Sequence, residues 1–102
     1  MITRMWRGWT AAVDAGAYER FLLDELFPTM RAIPGFLGAE VLHRVDGAEA
    51  AFVILTRFDS LEAIRSFAGD RYESPVIEPR AAELLSRYDD TALHFETSTF
   101  AP

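Results

Sequence analysis

Four residue types are absent from this 102-residue chain: cysteine, lysine, asparagine and glutamine. Without cysteine there is no disulfide, no thiolate nucleophile and no thiolate metal site, and without lysine there is no Schiff-base chemistry. All ten side chains of fixed positive charge are therefore arginines, set against 16 acidic residues for a net charge of −6. They are spread along the chain rather than clustered, which argues against recognition of a phosphate backbone and makes nucleic acid an unexpected partner. No apolar run is long enough to span a bilayer, and arginines interrupt the N-terminal MITRMWRGWT where a signal peptide needs a continuous apolar segment. A cytoplasmic protein with no membrane partner is expected. The abundance of Arg and Ala with no Lys reads as the signature of a GC-rich bacterial genome.

What is present is half hydrophobic and rich in aromatics, with eight Phe, two Trp and three Tyr. That exceeds the needs of a minimal core and points either to a lined pocket or apolar interface, or to core packing alone. No linker, low-complexity tract or charge block divides the chain, so residues 1–102 read as one domain. At this size a partner subunit would add stability.

Residues 2 to 11 favour a strand, with Thr3, Met5 and Arg7 on one face and Ile2, Arg4, Trp6 and Gly8 on the other. A helix is expected from Ala15, with Asp14 as its cap and Tyr18, Phe21, Leu22 and Met30 on one side; Pro28 should kink or end it near Leu26. Phe36 to Val45 alternates and leads to Asp46-Gly47, a strong signal for a type I′ hairpin, with Ala50 to Phe58 returning as a central strand. Asp59 and Glu62 suggest a capping box for a second helix that carries Leu61, Ile64, Phe67 and Ala68 and ends at Gly69. Ser74-Pro75 reads as the start of a third helix with Ile77, Ala81, Leu84, Leu85 and Tyr88 on its inner side, and Ala92 to Phe100 as a last strand.

The order βαββααβ matches an α+β, ferredoxin-like arrangement, a four-stranded antiparallel sheet with helices on one face. Its bare face would carry apolar residues, so a homodimer packed sheet against sheet is expected. The segments Pro34, Gly35, Phe36, Gly38, Glu40, Val41, Leu42 and then Phe52, Val53, Leu55, Phe58, Ser60, Glu62, Ala63, Phe67 resemble the signature of antibiotic biosynthesis monooxygenase-like domains of the dimeric α+β barrel superfamily. The resemblance implies that fold over nearly the whole chain. It implies a cofactor-independent monooxygenase-like protein acting on a small aromatic or quinone-like molecule beside the sheet, or else a non-catalytic dimer that binds a small ligand or serves as an accessory protein. No cofactor or metal is expected.

Oxidation of a phenol through its anion needs a base, a stabilising cation or donor, and an apolar pocket. His94 is the candidate base, Tyr72 a donor and Arg57 a charge partner, with Arg4, Trp6, Phe58 and Phe67 as substrate-binding residues. Each has a plain alternative: His94 as an outward-facing structural or interface residue, the arginines as cross-strand partners of Glu40 or Glu96, Tyr72 as a loop anchor, and the aromatics as core. His43 has no assigned role. Heme-degrading relatives use an Asn, a His and a Trp, whereas this chain has no Asn, Phe58 where the Trp stands and Phe67 where the helix-borne His is expected.

Overall fold

The computed structural model describes residues 1–102. Its elements, in chain order, are β1 (Ile2–Ala11), α1 (Ala15–Phe21), α2 (Phe27–Met30), β2 (Phe36–Asp46), β3 (Glu49–Phe58), α3 (Leu61–Ala68), α4 (Pro79–Leu84), β4 (Leu85–Tyr88) and β5 (Leu93–Glu96). The antiparallel sheet runs β2-β3-β1-β4, and β5 pairs with the other end of β1. Along the outer side of β1, β5 therefore takes Ile2 to Met5 and β4 takes Gly8 to Thr10. The fourth position of the sheet is filled by two short strands in place of the single one expected. No helix is long and apolar enough to cross a membrane.

Strict alternation in the two central strands decides which face meets the helices. Arg4, Trp6, Gly8 and Thr10 of β1 are buried, as are Ala50, Phe52, Ile54, Thr56 and Phe58 of β3. Tyr18, Phe21, Leu22 and Met30 pack down on them from the helical layer. Tyr18 meets Phe52 edge to face with ring centroids 4.9 Å apart, a geometry that adds about 1 kcal/mol to the area both rings bury. The core divides into a larger cluster around Phe52 and a smaller one in which Phe58 lies under Ala63 and Ile64 of α3. The opposite face of the sheet has no covering layer: Leu42 is 50% exposed, Leu93 50% and Phe95 48%.

Several local expectations are corrected. Asp14 lies in a 3-10 turn with helical φ and ψ and makes no capping bond. Pro28 disturbs the helix near Leu26, as expected, without ending it. The backbone widens into a π turn over Leu22–Leu26, where the Phe27 N–H reaches the Leu22 carbonyl, and helix resumes as α2. The wider turn accommodates the proline, which has no N–H to give and crowds the carbonyl one turn back. At the β2–β3 hairpin Asp46 pairs with Glu49, so the two loop residues are Gly47 and Ala48, and only Gly47 has positive φ (+66°). That is the II′ pattern, with glycine first, rather than I′.

Ser60, not Asp59, caps α3; its Oγ accepts from the Ala63 N–H at 3.2 Å. The third helix begins at Pro79 because the residue before a proline is driven to extended backbone, and Glu78 has ψ 152°. It also stops early. Leu85 turns to strand against Gly8 and Thr10, and a Cβ at position 8 would lie 2.8 Å from the Leu85 Cδ2, so the glycine makes room for that crossing.

Candidate functional site

Register places three polar residues in one row across an otherwise apolar face. Arg4 stands opposite Thr56 on β3 and opposite His94 on β5. The neighbouring row contains Trp6 and Ile54. Above these rows the helices leave a cavity of about 40 Å³ lined mainly by hydrophobic side chains, among them Trp6, Phe21, Leu26, Phe27, Ile54 and Phe67, with Arg4, Thr56, Tyr18 and Glu78 as its polar members. Its lining is drawn from both clusters of the core.

Arg4 is 4% exposed and takes part in none of the ion pairs of the chain. A buried cation is costly to desolvate and ordinarily faces a carboxylate. Here its partners are neutral: Nη1 donates to the Tyr72 carbonyl and to His94 Nε2 (3.0 Å), and Nη2 donates to the Ser74 carbonyl (2.9 Å). Burial lowers its pKa to about 10, so it remains a cation at neutral pH. The guanidinium carbon also lies 5.7 Å from the centre of the Phe67 ring.

Because arginine can only donate, the Nε2 of His94 accepts, which assigns the ring proton of a neutral imidazole to Nδ1. Burial first, and the Arg4 cation second, push the His94 pKa down, with Glu73 acting weakly the other way. His94 thus faces the helical side of the sheet rather than outward, while Leu93 and Phe95 occupy the open face. The ring of Tyr72 packs edge-on against it with centroids 5.2 Å apart, and it is the backbone of Tyr72 that holds Arg4. Neither His94 nor Tyr72 lines the cavity; both stand behind Arg4.

The structure therefore brings Arg4, His94, Tyr72, Trp6 and Phe67 together and leaves two candidates elsewhere. Arg57 lies on the opposite face of β3, where it pairs with Glu40 across to β2. Phe58 is completely buried under α3, edge to face with Phe36 at 5.7 Å, and does not reach the cavity. The Trp6 ring lines the cavity while its indole N–H donates to the Asp89 carbonyl at 2.8 Å. His43 is tied to Glu19 at 3.1 Å and stacks on Phe52, a structural contact.

Sequence reasoning missed Tyr18, read as core, and Thr56. Neither hydroxyl has a hydrogen-bond partner in the chain, and no polar side-chain atom is both sealed and unpartnered, so both reach open space, which here is the cavity. Burial pushes the Tyr18 pKa well above that of an ordinary phenol, so its O–H stays a donor. Thr56 carried a readable signal as the one polar residue among the helix-facing positions of β3. No group of three or more His, Cys, Asp or Glu side chains could hold a metal ion.

Neither a protein-family profile nor a curated protein matches the chain. Solved structures do. The chain is similar to Rv0793 from Mycobacterium tuberculosis, with a TM-score of 0.60 and 22% identity over 99% of this chain and 98% of that one. It is similar to the heme-degrader MhuD from the same organism, solved with two hemes in its active site, with a TM-score of 0.61 and 21% identity over the whole of both chains. A Bacillus cereus protein provisionally named an antibiotic biosynthesis monooxygenase gives a TM-score of 0.58 and 16% identity over 99% of this chain and 95% of that one. With identities this low the likeness speaks for architecture: the chain has the α+β fold of the antibiotic biosynthesis monooxygenase-like domains.

Proposed function

We propose that the protein is a homodimer, closed through its open sheet face, that binds a small aromatic or quinone-like molecule between sheet and helices and oxygenates it without a cofactor. The observation that carries this reading is Arg4, a buried cation that makes no ion pair and stands on the wall of an aromatic-lined cavity. A phenol or enol bound there would lose its proton to solvent water more easily, because a neighbouring cation in low dielectric favours the anion. Oxygen would then react with the substrate anion itself. In the oxidation of an anthrone to its quinone the methylene carbon loses two hydrogens and gains one oxygen atom, and the second oxygen atom leaves as water.

The roles shift from those expected on sequence grounds. Arg4 stabilises the anion. His94 positions Arg4 rather than acting as base, since its acceptor nitrogen is engaged and a second proton would set two cations 3.0 Å apart. Arg57, on the other face, takes no part. Among the similar structures MhuD holds heme. Heme does not fit the site in this chain: no imidazole, thiolate or carboxamide lines the cavity, and the phenol of Tyr18 is held protonated.

A second reading, a dimer that binds a small ligand without chemistry, is favoured by the size of the cavity. About 40 Å³ compares with roughly 300 Å³ or more in pockets for drug-sized ligands. A multi-ring substrate enters only if the segment between α3 and α4, which brings Val76 and Glu78 to the cavity, moves aside. The test is oxidation of anthrone under air, followed as quinone absorbance. Turnover above the buffer rate that is lost in Arg4→Gln supports the enzyme; a dimeric protein that binds anthrone without accelerating its oxidation supports the second reading and overturns the first.

A further inference from the structure

Arg4 has five N–H donors and uses three, two on Nη1 and one on Nη2. The Nε–H and one Nη2–H are left, and those two nitrogens lie on the same edge of the guanidinium, the pair that grips a carboxylate bidentately. The three committed donors hold the group in place through carbonyls from the 72–74 segment and the ring of His94, so little rotational freedom remains to be lost on binding. Directly across the strand pair stands Thr56, whose unpartnered hydroxyl opens on the same cavity, and Tyr18 adds a second from the helical layer. Glu78 lines the cavity as well, more than 4 Å from the guanidinium, and its charge opposes any second negative charge there. A volume of about 40 Å³ takes a head group of a few atoms and leaves any ring outside it.

A wider depression of about 380 Å³ beside α4 has no comparable buried, unpaired cation, because Arg87 is exposed and paired with Glu49, which Ser86 also reaches.

We propose that the cavity is a binding site for a small organic monocarboxylate, its carboxylate held by the two free donors of Arg4 and by the Thr56 and Tyr18 hydroxyls. This rests on the reading of the cavity as a ligand site and is independent of any oxygenation. The test uses benzoate, with benzamide as a neutral match in shape and phthalate as a dianion, followed through the indole N–H resonance of Trp6. Benzoate is expected to shift that resonance saturably and to bind at least about thirtyfold more tightly than benzamide, as truncating one side of a buried charge pair costs. Phthalate should bind more weakly than benzoate. Thr56→Val keeps the shape of the side chain and should weaken benzoate about tenfold, while Glu78→Gln should strengthen it. If benzamide binds as tightly as benzoate, the ligand site stands and the carboxylate assignment falls. If neither shifts Trp6, both fall. Benzoate binding that ignores both Thr56→Val and Glu78→Gln also overturns the assignment, without recourse to a variant of Arg4 whose folding is at risk.

Discussion

Replacing Phe95 by aspartate is expected to dissociate the proposed dimer while leaving the protomer folded. Phe95 sits on β5 at the margin of the open face and is 48% exposed. An aromatic side chain offers about 200 Å², so about 100 Å² of its surface faces water in one protomer. A two-fold interface uses the same patch twice, which makes about 200 Å² per dimer and, at about 25 cal/mol per Å², about 5 kcal/mol if all of it is covered. Aspartate removes that contribution and adds the cost of desolvating two carboxylates. The dissociation constant should rise by about a thousandfold or more. Sedimentation velocity in the micromolar range reads this directly: wild type at twice 11.5 kDa, the variant at 11.5 kDa with an unchanged circular dichroism spectrum. Val13, 91% exposed in the turn before α1, supplies the control, and Val13→Asp should remain dimeric. A Phe95→Asp protein that dimerises as tightly as wild type, or a monomeric wild type, would refute the assignment of the open face.

Two further outcomes follow from local geometry. Gly35 has φ +91°, and a Cβ there would clash with the Asp59 Oδ1, so Gly35→Ala should lose about 1–3 kcal/mol in urea unfolding, with Asp59→Ala relieving the contact but not the backbone strain. Because burial and Arg4 lower the His94 pKa, the unfolded chain binds more protons than the folded one between that lowered value and the ordinary 6.5. Stability should therefore fall as pH falls through this window and show no His94 contribution above it; His94→Gln should flatten the slope, and an identical pH profile in the variant would contradict the Arg4–His94 contact.

Much of the fold was legible because the deciding signals are local. Alternation along Phe36 to Val45, the apolar run Ala50 to Phe58 and the hairpin glycine need no distant partner, and α3 announces itself by its apolar spacing and closing glycine. The expectations that failed depend on tertiary context. Leu84, Leu85 and Tyr88 have helical spacing, yet pairing with Gly8 and Thr10 draws Leu85 onward into a strand. For His94 the alternation with Leu93 and Phe95 leaves both a pocket-facing base and an outward structural residue open; on a sheet whose second face has no covering layer, apolar residues stand on both sides and alternation no longer says which side is in. The candidate site was legible in Arg4, Trp6 and Phe67 but not in Tyr18 or Thr56, and its arrangement was not legible at all. Arg4 and His94 were both candidates, but only register shows them adjacent, with Thr56 completing the row.

The central claim, that ligand binds at Arg4 on the helical side while the open face closes a dimer, is tested most directly by a crystal structure grown with a bromophenol and phased on bromine. The account predicts the phenol oxygen on Arg4, the bromine peak on the helical side of the sheet at the edge of the cavity, and the two sheets packed across a two-fold axis. A bromine bound on the sheet face that carries Leu42, Leu93 and Phe95, with the cavity filled by side chains, would contradict it.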